Sequence, residues 1–398
     1  MSAKFVVLGV AFMALLSWPI MVVLDRLNVF KTERSAVLAG IILIATALLL
    51  TIFLFKRYFK RVDPFVYVFS LLCCDAVPGL IFVLELDGFI PKFNSTTMVT
   101  GIEPFMKTSY GVMSTYWNGI VHLALYLAAI TLYVRRDSHR EVTLFWAGSL
   151  LNMCVVLLPA LVTQTPNDKS AIFINAPVIL LPIVAMGYYM HRRPVQARSF
   201  LEAPKIWKRP VDLLFFVYFL LAACVVVFRG MTVVGGKASC MKDYLNDCEP
   251  YLKDTHNFPK FQAIAYLYFY LAYYLTAMYG LLYPGQHWMA DWSLVHAGAA
   301  AQAQFTYITG ALNRRTAANM RPPMAGTNGM MFWSINLLML VIPQLFALWC
   351  LRDPDNHGRT YTVDLATPNY LVGDMIVKKP ARIYNYRKET RRIEEKTD

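Results

Sequence analysis

Long, uninterrupted blocks of apolar residues recur along this chain of 398 residues, up to a polar tail. In hydrocarbon every backbone amide must bond within its own segment, so spans are helices of about 20 apolar residues or closed barrels of alternating strands. The blocks show no alternation. Composition agrees, because 57% of the residues are apolar and 16% are charged, against about 45–50% and about 25% in soluble domains. The sequence therefore predicts an all-α polytopic membrane protein.

Charged residues separate the blocks and predict about ten transmembrane helices. These lie near residues 5–24, 35–55, 64–84, 110–133, 142–163, 171–190, 211–232, 261–283, 293–312 and 331–350. The first block could instead be a cleaved signal peptide. Its apolar run of about 20 residues exceeds the usual core of about 7–15 residues, so we expect a retained helix.

Basic residues predict the orientation of these helices. They are densest in three short segments, 56–61, 135–140 and 192–209, and such segments are typical of cytosolic loops. We therefore expect both termini in the cytosol. The N-glycosylation sequon at Asn94 and the polar loop with Cys240 and Cys248 then lie in the lumen. There the two cysteines could form a disulfide or stay as free thiols.

The C-terminal tail contributes to the net charge of +13. Its basic residues are mixed with acidic ones and form no platform interleaved with aromatic residues, which argues against nucleic acid as a partner. We expect a solvated tail that is attracted to anionic headgroups.

An internal repeat organises the rest of the chain. Four landmarks recur in the same order at an interval of about 150 residues. They are Val62-Asp63 and Val211-Asp212, Glu103-Pro104 and Glu249-Pro250, Ala147-Gly148 and Ala297-Gly298, and Pro182 and Pro343. We predict two parallel four-helix units related by an axis along the membrane normal. The predicted segments are two N-terminal helices in 1–60, the units 61–194 and 208–354, a basic cytosolic linker at 195–210 and a basic cytosolic tail at 355–398.

The sequence resembles the transmembrane 6 superfamily, whose members carry two EXPERA domains. The resemblance rests on Glu103-Pro104, on the run from Tyr116-Trp117-Asn118-Gly119 to His122, and on Trp292 with Ala303-Gln304-Phe305. It implies a protein of lipid homeostasis in the endoplasmic reticulum, with later secretory or lysosomal membranes as alternatives. It also implies a role in loading neutral lipid onto lipoproteins, and kinship with emopamil-binding sterol isomerases and the sigma-2 receptor.

Strongly polar side chains inside a bilayer are costly, so they are the first candidates for a site. Asp75 lies mid-block, where it could meet a lipid's polar group or fix the packing of two helices. Asn118 and His122 are four residues apart and share a helix face flanked by Trp117. They could orient a lipid hydroxyl or act as ordinary polar contacts between helices.

Three neutral side chains on the fifth and ninth helices are further candidates for lipid binding. They are Asn152, Gln302 and Gln304, although the small residues around them also favour close helix packing. We expect Glu85 and Arg229, at block ends, to reach interfacial water.

Two functions from different classes remain open. The first is binding of membrane lipids, a sterol or a neutral lipid, together with lipoprotein-assembly proteins as partners. The alternative is a sterol double-bond isomerase that uses Asp75 and His122. The isomerase relatives have a carboxylate where this chain has Asn118, so catalysis is disfavoured. We see no phosphate loop, zinc triad or nucleophile elbow, and we expect no metal or cofactor.

A third hypothesis assigns the function to recruitment of other membrane proteins by the basic tail. Truncation after Cys350 would then abolish function while lipid binding survives.

Overall fold

The computed structural model describes residues 4–29, 33–91, 104–164, 176–192, 196–197, 205–352 and 360–361. Over these residues the chain forms ten long helices, numbered α1 to α10. Their bounds are α1 Lys4–Arg26, α2 Glu33–Lys56, α3 Pro64–Asp87, α4 Ser109–Val134, α5 Arg140–Gln164, α6 Leu180–His191, α7 Pro210–Val234, α8 258–282, α9 Met289–Leu312 and α10 Gly326–Arg352. Each lies at an apolar block, and the predicted all-α polytopic fold is confirmed.

Short elements fill the connections. The helical turns are Pro104–Lys107, Ala176–Ile179, Ile206–Lys208, Ser239–Asp243, Tyr244–Cys248, Pro250–Lys253 and Ala318–Met320. Two strands of two residues, β1 (Gln196–Ala197) and β2 (Thr360–Tyr361), pair in parallel and join the linker to the tail.

Seven helices of the described residues are long and apolar enough to cross a membrane: α1, α2, α3, α4, α5, α7 and α10. The described part of α6 is shorter, since residues 171–175 of its predicted block lie outside the described ranges. A π-helical segment divides α8, and α9 is more polar. Most residues of α9 are buried by α5, α10 and α4. A helix enclosed by protein can carry polar side chains because its neighbours bind them. The count of ten membrane crossings stays a prediction.

Large apolar side chains cover the outside of the bundle. Leu49 in α2 is 67% exposed and Phe12 in α1 is 62% exposed. In water such a surface would favour aggregation, whereas hydrocarbon tails solvate it at no cost. The outer faces of α1 and α2 are therefore lipid-facing surfaces.

The contact between α5 and α9 is the most extensive in the molecule as described. A Cβ atom added at Gly148 would lie 1.9 Å from the backbone oxygen of Val295, and one at Gly298 would lie 1.8 Å from that of Phe145. Both pairs therefore pack backbone against backbone. Gly298 follows Gly148 by 150 positions, and Val295 follows Phe145 by the same number. The contact is therefore reciprocal, as between two partners related by a two-fold axis.

Local features also recur between the two halves of the bundle. Asn118–His122 in α4 and Tyr266–Tyr270 in α8 are both π-helical. Phe69 packs on Tyr126 with ring centroids 5.8 Å apart, and Phe219 packs on Tyr274 at 5.6 Å. These correspondences support the predicted duplication.

Ion pairs join the halves at both ends of the bundle. Beyond α9, Arg314 and Arg315 bind Asp87 at the end of α3, with nitrogen–oxygen distances of 3.1 and 2.5 Å. At the start of α5, Arg140 binds Asp291 of α9 at 2.5 Å. The ends of α3 and α9 are predicted to lie on the lumenal side, and the starts of α5 and α9 on the cytosolic side. Each ion pair therefore joins segments that are predicted to share one side of the membrane.

Substituting either glycine of the α5–α9 contact should destabilise the fold. For Gly298→Ala we expect a loss of at least about 2 kcal/mol, because the added methyl meets backbone, which has no rotamer to change. Thermal unfolding in lipid nanodiscs measures this. Gly187→Ala is the matched control, since nothing lies within 4 Å of an added Cβ there. Equal unfolding temperatures for both variants would contradict the contact.

Candidate functional site

Asp75, Asn118 and His122 come together between α3 and α4. Asp75 lies near the middle of α3, and Asn118 and His122 begin and end the π-helical segment of α4. Such segments add a residue to one turn, change side-chain directions and occur frequently at functional sites. The two helices approach closely here, because a Cβ added at Gly119 would lie 2.5 Å from that of Leu80. This approach holds Asp75 within hydrogen-bonding reach of Asn118.

A chain of hydrogen bonds leads inward from Asn118. Its Oδ1 lies 3.2 Å from Nδ1 of His122, and Nε2 of the same imidazole lies 2.7 Å from Oγ of Ser149 in α5. Nε1 of Trp117 lies 2.8 Å from that oxygen. The hydroxyl of Tyr126 also reaches Asn118 Oδ1, at 3.4 Å. We call Asp75, Trp117, Asn118, His122 and Ser149 the α3–α4 cluster.

The donors and acceptors of this chain assign it a direction. An indole nitrogen only donates, so Trp117 donates to Ser149. The Ser149 hydroxyl then donates to His122 Nε2, and Nδ1–H of His122 donates to Asn118 Oδ1. The amide hydrogens of Asn118 are left for the carboxyl group of Asp75. Every polar group inward of Asp75 therefore has a protein partner.

Exposure decreases along the same chain. Asp75 is exposed, Asn118 is half-buried, and His122 is 0% exposed. The cluster therefore reaches the surface only at its outer end, at a carboxyl group near the middle of α3. A carboxyl group in hydrocarbon is costly when its oxygens lack hydrogen-bond partners. Asn118 provides a partner for only part of the hydrogen-bonding capacity of the Asp75 carboxyl group. The remaining lone pairs can accept a hydroxyl or ammonium group of a lipid.

Ser149 was not among the residues predicted from sequence. It sits beside Gly148, so the close α5–α9 contact places it next to α4. One signal was available: Ser149 and Asn152 are polar positions at helical spacing on an apolar helix.

Asn152 and Gln302 form a different cluster, between the two halves. Asn152 Nδ2 donates to Gln302 Oε1 at 2.6 Å and to Gln262 Oε1 at 3.0 Å. Its Oδ1 accepts from Tyr270 at 2.8 Å and from Gln262 at 3.1 Å. These side chains bind one another and do not join Asp75. Gln304 is also buried elsewhere, and its Nε2 donates to Tyr266 at 2.8 Å.

The remaining predicted positions have different outcomes. Cys240 and Cys248 are free thiols, which corrects the disulfide alternative. They lie on consecutive helical turns, on the order of 10 Å apart by helical rise, which exceeds disulfide reach. Asn94 lies outside the described residues.

The expectation for Arg229 is wrong, since this residue does not reach water. It is 3% exposed and pairs with Glu249 at 2.8 Å. Tyr307 and Asn336 donate to the same carboxylate at 3.0 and 3.1 Å, so both oxygens of Glu249 have partners inside the protein. Glu85 is buried as well. Among the residues described, no three His, Cys, Asp or Glu side chains gather as in a metal site.

These features define a polytopic helical membrane protein that encloses polar clusters between its helices. Residues 16–200 match the family described as Transmembrane 6 superfamily member 2-like, transmembrane domain. The chain is 30% identical over 350 residues to Transmembrane 6 superfamily member 2 of Rattus norvegicus and to that of Mus musculus, covering 86% of this chain and 92% of each relative. Identity to the Homo sapiens protein is 33% over 300 residues, or 73% of this chain and 79% of that one.

The chain therefore belongs to the transmembrane 6 superfamily. No solved structure matches it.

Loss of the Ser149 hydroxyl should weaken the α3–α4 cluster. For Ser149→Ala we expect a loss of about 0.5–1.5 kcal/mol, because the hydroxyl that lies between Trp117 and His122 is removed and only the 3.2 Å hydrogen bond from Trp117 Nε1 to His122 Nε2 is left. Ser293→Ala is a matched control, since this buried serine bonds only the backbone oxygen of Ala290 in its own helix, at 2.8 Å. Thermal unfolding in nanodiscs measures the stability of both variants. An equal loss of stability in Ser149→Ala and Ser293→Ala would contradict the hydrogen-bonded network.

Proposed function

We propose that this protein binds a sterol or acyl lipid through the α3–α4 cluster and supports transfer of neutral lipid or lipidation of lipoproteins at the endoplasmic reticulum. Membership of the transmembrane 6 superfamily supports the membrane setting. The lipid role, the organelle and lipoprotein-assembly proteins as partners are parts of the proposal.

The observation that carries this proposal is the exposed carboxyl group of Asp75 near the middle of α3. Its neighbours along α3 are apolar and buried or half-buried, and the hydrogen-bonded chain from Trp117 to Asn118 supports it from within. A sterol or diacylglycerol could donate its hydroxyl to Asp75 while its apolar body stays in hydrocarbon. Binding thus places a polar lipid end against a polar side chain that otherwise faces acyl tails.

The geometry favours binding over proton transfer. An isomerase needs an acid and a base that both reach the ring, with the proton leaving from one and arriving at the other. Here both ring nitrogens of His122 have protein partners and the imidazole is fully buried. Asn118, between the imidazole and the carboxyl group, has no proton of suitable acidity. Asp75 is the one exposed residue of the α3–α4 cluster, which supports one hydrogen-bonding role.

Lipid binding should depend on the Asp75 carboxyl group. In phosphatidylcholine nanodiscs we expect saturable binding of radiolabelled cholesterol or dioleoylglycerol, weakened about three- to ten-fold by Asp75→Ala, since a hydrogen bond between uncharged groups contributes about 0.5–1.5 kcal/mol. Asp75→Asn should lie between the two.

The matched control is Asp137→Ala, which removes an exposed carboxyl group from the α4–α5 loop. Its affinity should equal that of the wild type. Absence of saturable binding for both lipids, or full affinity in Asp75→Ala, would overturn the proposal.

Sterol isomerisation should be absent in the same preparation. Incubation with a sterol that carries a ring double bond should leave the double bond in place, as read by chromatography and mass spectrometry. Turnover that disappears in both Asp75→Asn and His122→Ala would instead establish the enzymatic alternative.

A further inference from the structure

A cluster of tyrosines in the second half of the bundle surrounds one histidine. It lies among α7, α8 and α9, on the opposite side of the α5–α9 contact from Asp75's helix. Its members, which we call the tyrosine cluster, are Tyr218, Tyr266, Tyr270, Tyr273, Tyr274 and His296.

His296 occupies the centre of this cluster. Its ring stacks on Tyr273 with centroids 4.2 Å apart and an interplanar angle of 29°, and it meets Tyr270 and Tyr274 edge-on at 5.2 and 5.4 Å. The side chain is 5% exposed, yet Nε2 has no hydrogen-bond partner among the residues described. Burying a polar atom without a partner costs about 1–3 kcal/mol.

Other polar atoms of the same region share this property. The hydroxyl oxygens of Tyr218 and Tyr273 are buried without partners in the described part of the chain, and so is Oε1 of Gln304, whose Nε2 binds Tyr266. Such atoms are few in a native protein, and each calls for a binding partner. Two phenol donors and two acceptors within one cluster are suited to a molecule that both donates and accepts.

The corresponding region of the first half shares this property at one position, because the indole nitrogen of Trp146 is also buried without a partner among the residues described, but its other polar groups are paired differently. Trp146 precedes His296 by 150 positions, and Asn118 and His122 precede Tyr266 and Tyr270 by 148. In the first half Asn118, His122 and Ser149 bind one another, and only Asp75 is left at the surface. In the second half the unused hydrogen-bonding capacity lies inside the protein, on groups that are phenols, an imidazole and an amide.

The chemistry of the lining indicates the charge of the ligand. The rings that border His296 belong to Tyr270, Tyr273 and Tyr274, which are uncharged. The buried carboxylates nearest in sequence, Asp291 and Asp212, are paired with Arg140 and Arg209. Arg229 and Glu249 also bind each other. A charged headgroup would therefore lack a counter-charge, which disfavours its burial.

We propose that the tyrosine cluster is a second lipid site, which binds the hydroxyl group of an uncharged lipid between His296, Tyr273 and Tyr218. The hydroxyl donates to Nε2 of His296 and accepts from a tyrosine hydroxyl. Tyr218 and Tyr273 are half-buried, and Leu214 and Leu275 nearby are exposed, so the site adjoins the lipid-facing surface of α7 and α8. This site is separate from Asp75 and does not require the α3–α4 cluster to bind lipid.

Photolabelling of the full chain in phosphatidylcholine nanodiscs tests the second site. The probe is a photoreactive diacylglycerol, and mass spectrometry locates the labelled peptides. We expect labelling within α7 to α9 that saturates, with apparent affinity reduced about three- to ten-fold by Tyr273→Phe, the loss of one neutral hydrogen bond. His296→Leu should reduce it at least as much. Asp75→Ala should leave it unchanged, which separates this site from the first.

Tyr279→Phe is the matched control, because this α8 tyrosine is 53% exposed and lies outside the cluster. A photoreactive phosphatidic acid, which is anionic, should not compete. The proposal is overturned if Tyr273→Phe and Tyr279→Phe label equally, or if Tyr273→Phe raises the unfolding temperature without changing the labelling. The second result would mean that the hydroxyls of Tyr218 and Tyr273 bind water or have no partner, and that they do not bind a lipid.

Discussion

The backbone contact between α5 and α9 is the constraint on which the rest of the structure depends. Gly148 and Gly298 have no side chains, so each helix lies directly against the other's carbonyl oxygens. Small residues that permit such approach are how helices associate in lipid, where burying apolar surface offers little gain. A hydrogen bond of 2.6 Å from Asn152 to Gln302 fixes the register within this contact. The two glycines and the two amides hold the halves in one arrangement.

The same contact positions both polar clusters. Ser149 follows Gly148 and completes the hydrogen-bonded chain to Asp75. His296 precedes Gly298 and carries the tyrosine cluster. Tyr270 connects the tyrosine cluster to the α5–α9 contact, since its ring borders His296 and its hydroxyl donates to Asn152. The α5–α9 pair therefore supports both of the polar clusters for which we propose lipid binding.

Local patterns predicted the helices, because hydrocarbon requires long apolar segments and charged residues interrupt them. The pairing of Asn118 with His122 also followed from helical spacing, and the two side chains lie 3.2 Å apart. Contacts between helices could not be predicted from these local patterns. Ser149 was missed, and Asn152 and Gln302 were predicted to bind lipid although they bind each other. Arg229 was expected in water because its partner, Glu249, comes from a loop after the helix. Each miss concerns a partner supplied by tertiary packing.

The number of lipids that one chain holds is the most direct test of this account. Native mass spectrometry of protein released from nanodiscs that contain a neutral hydroxyl-bearing lipid would count them. We expect occupancy to saturate at two lipids per chain, one for each polar cluster. A distribution that rises without saturation, or a chain that retains no neutral lipid, would contradict the claim that the α5–α9 pair carries two defined sites.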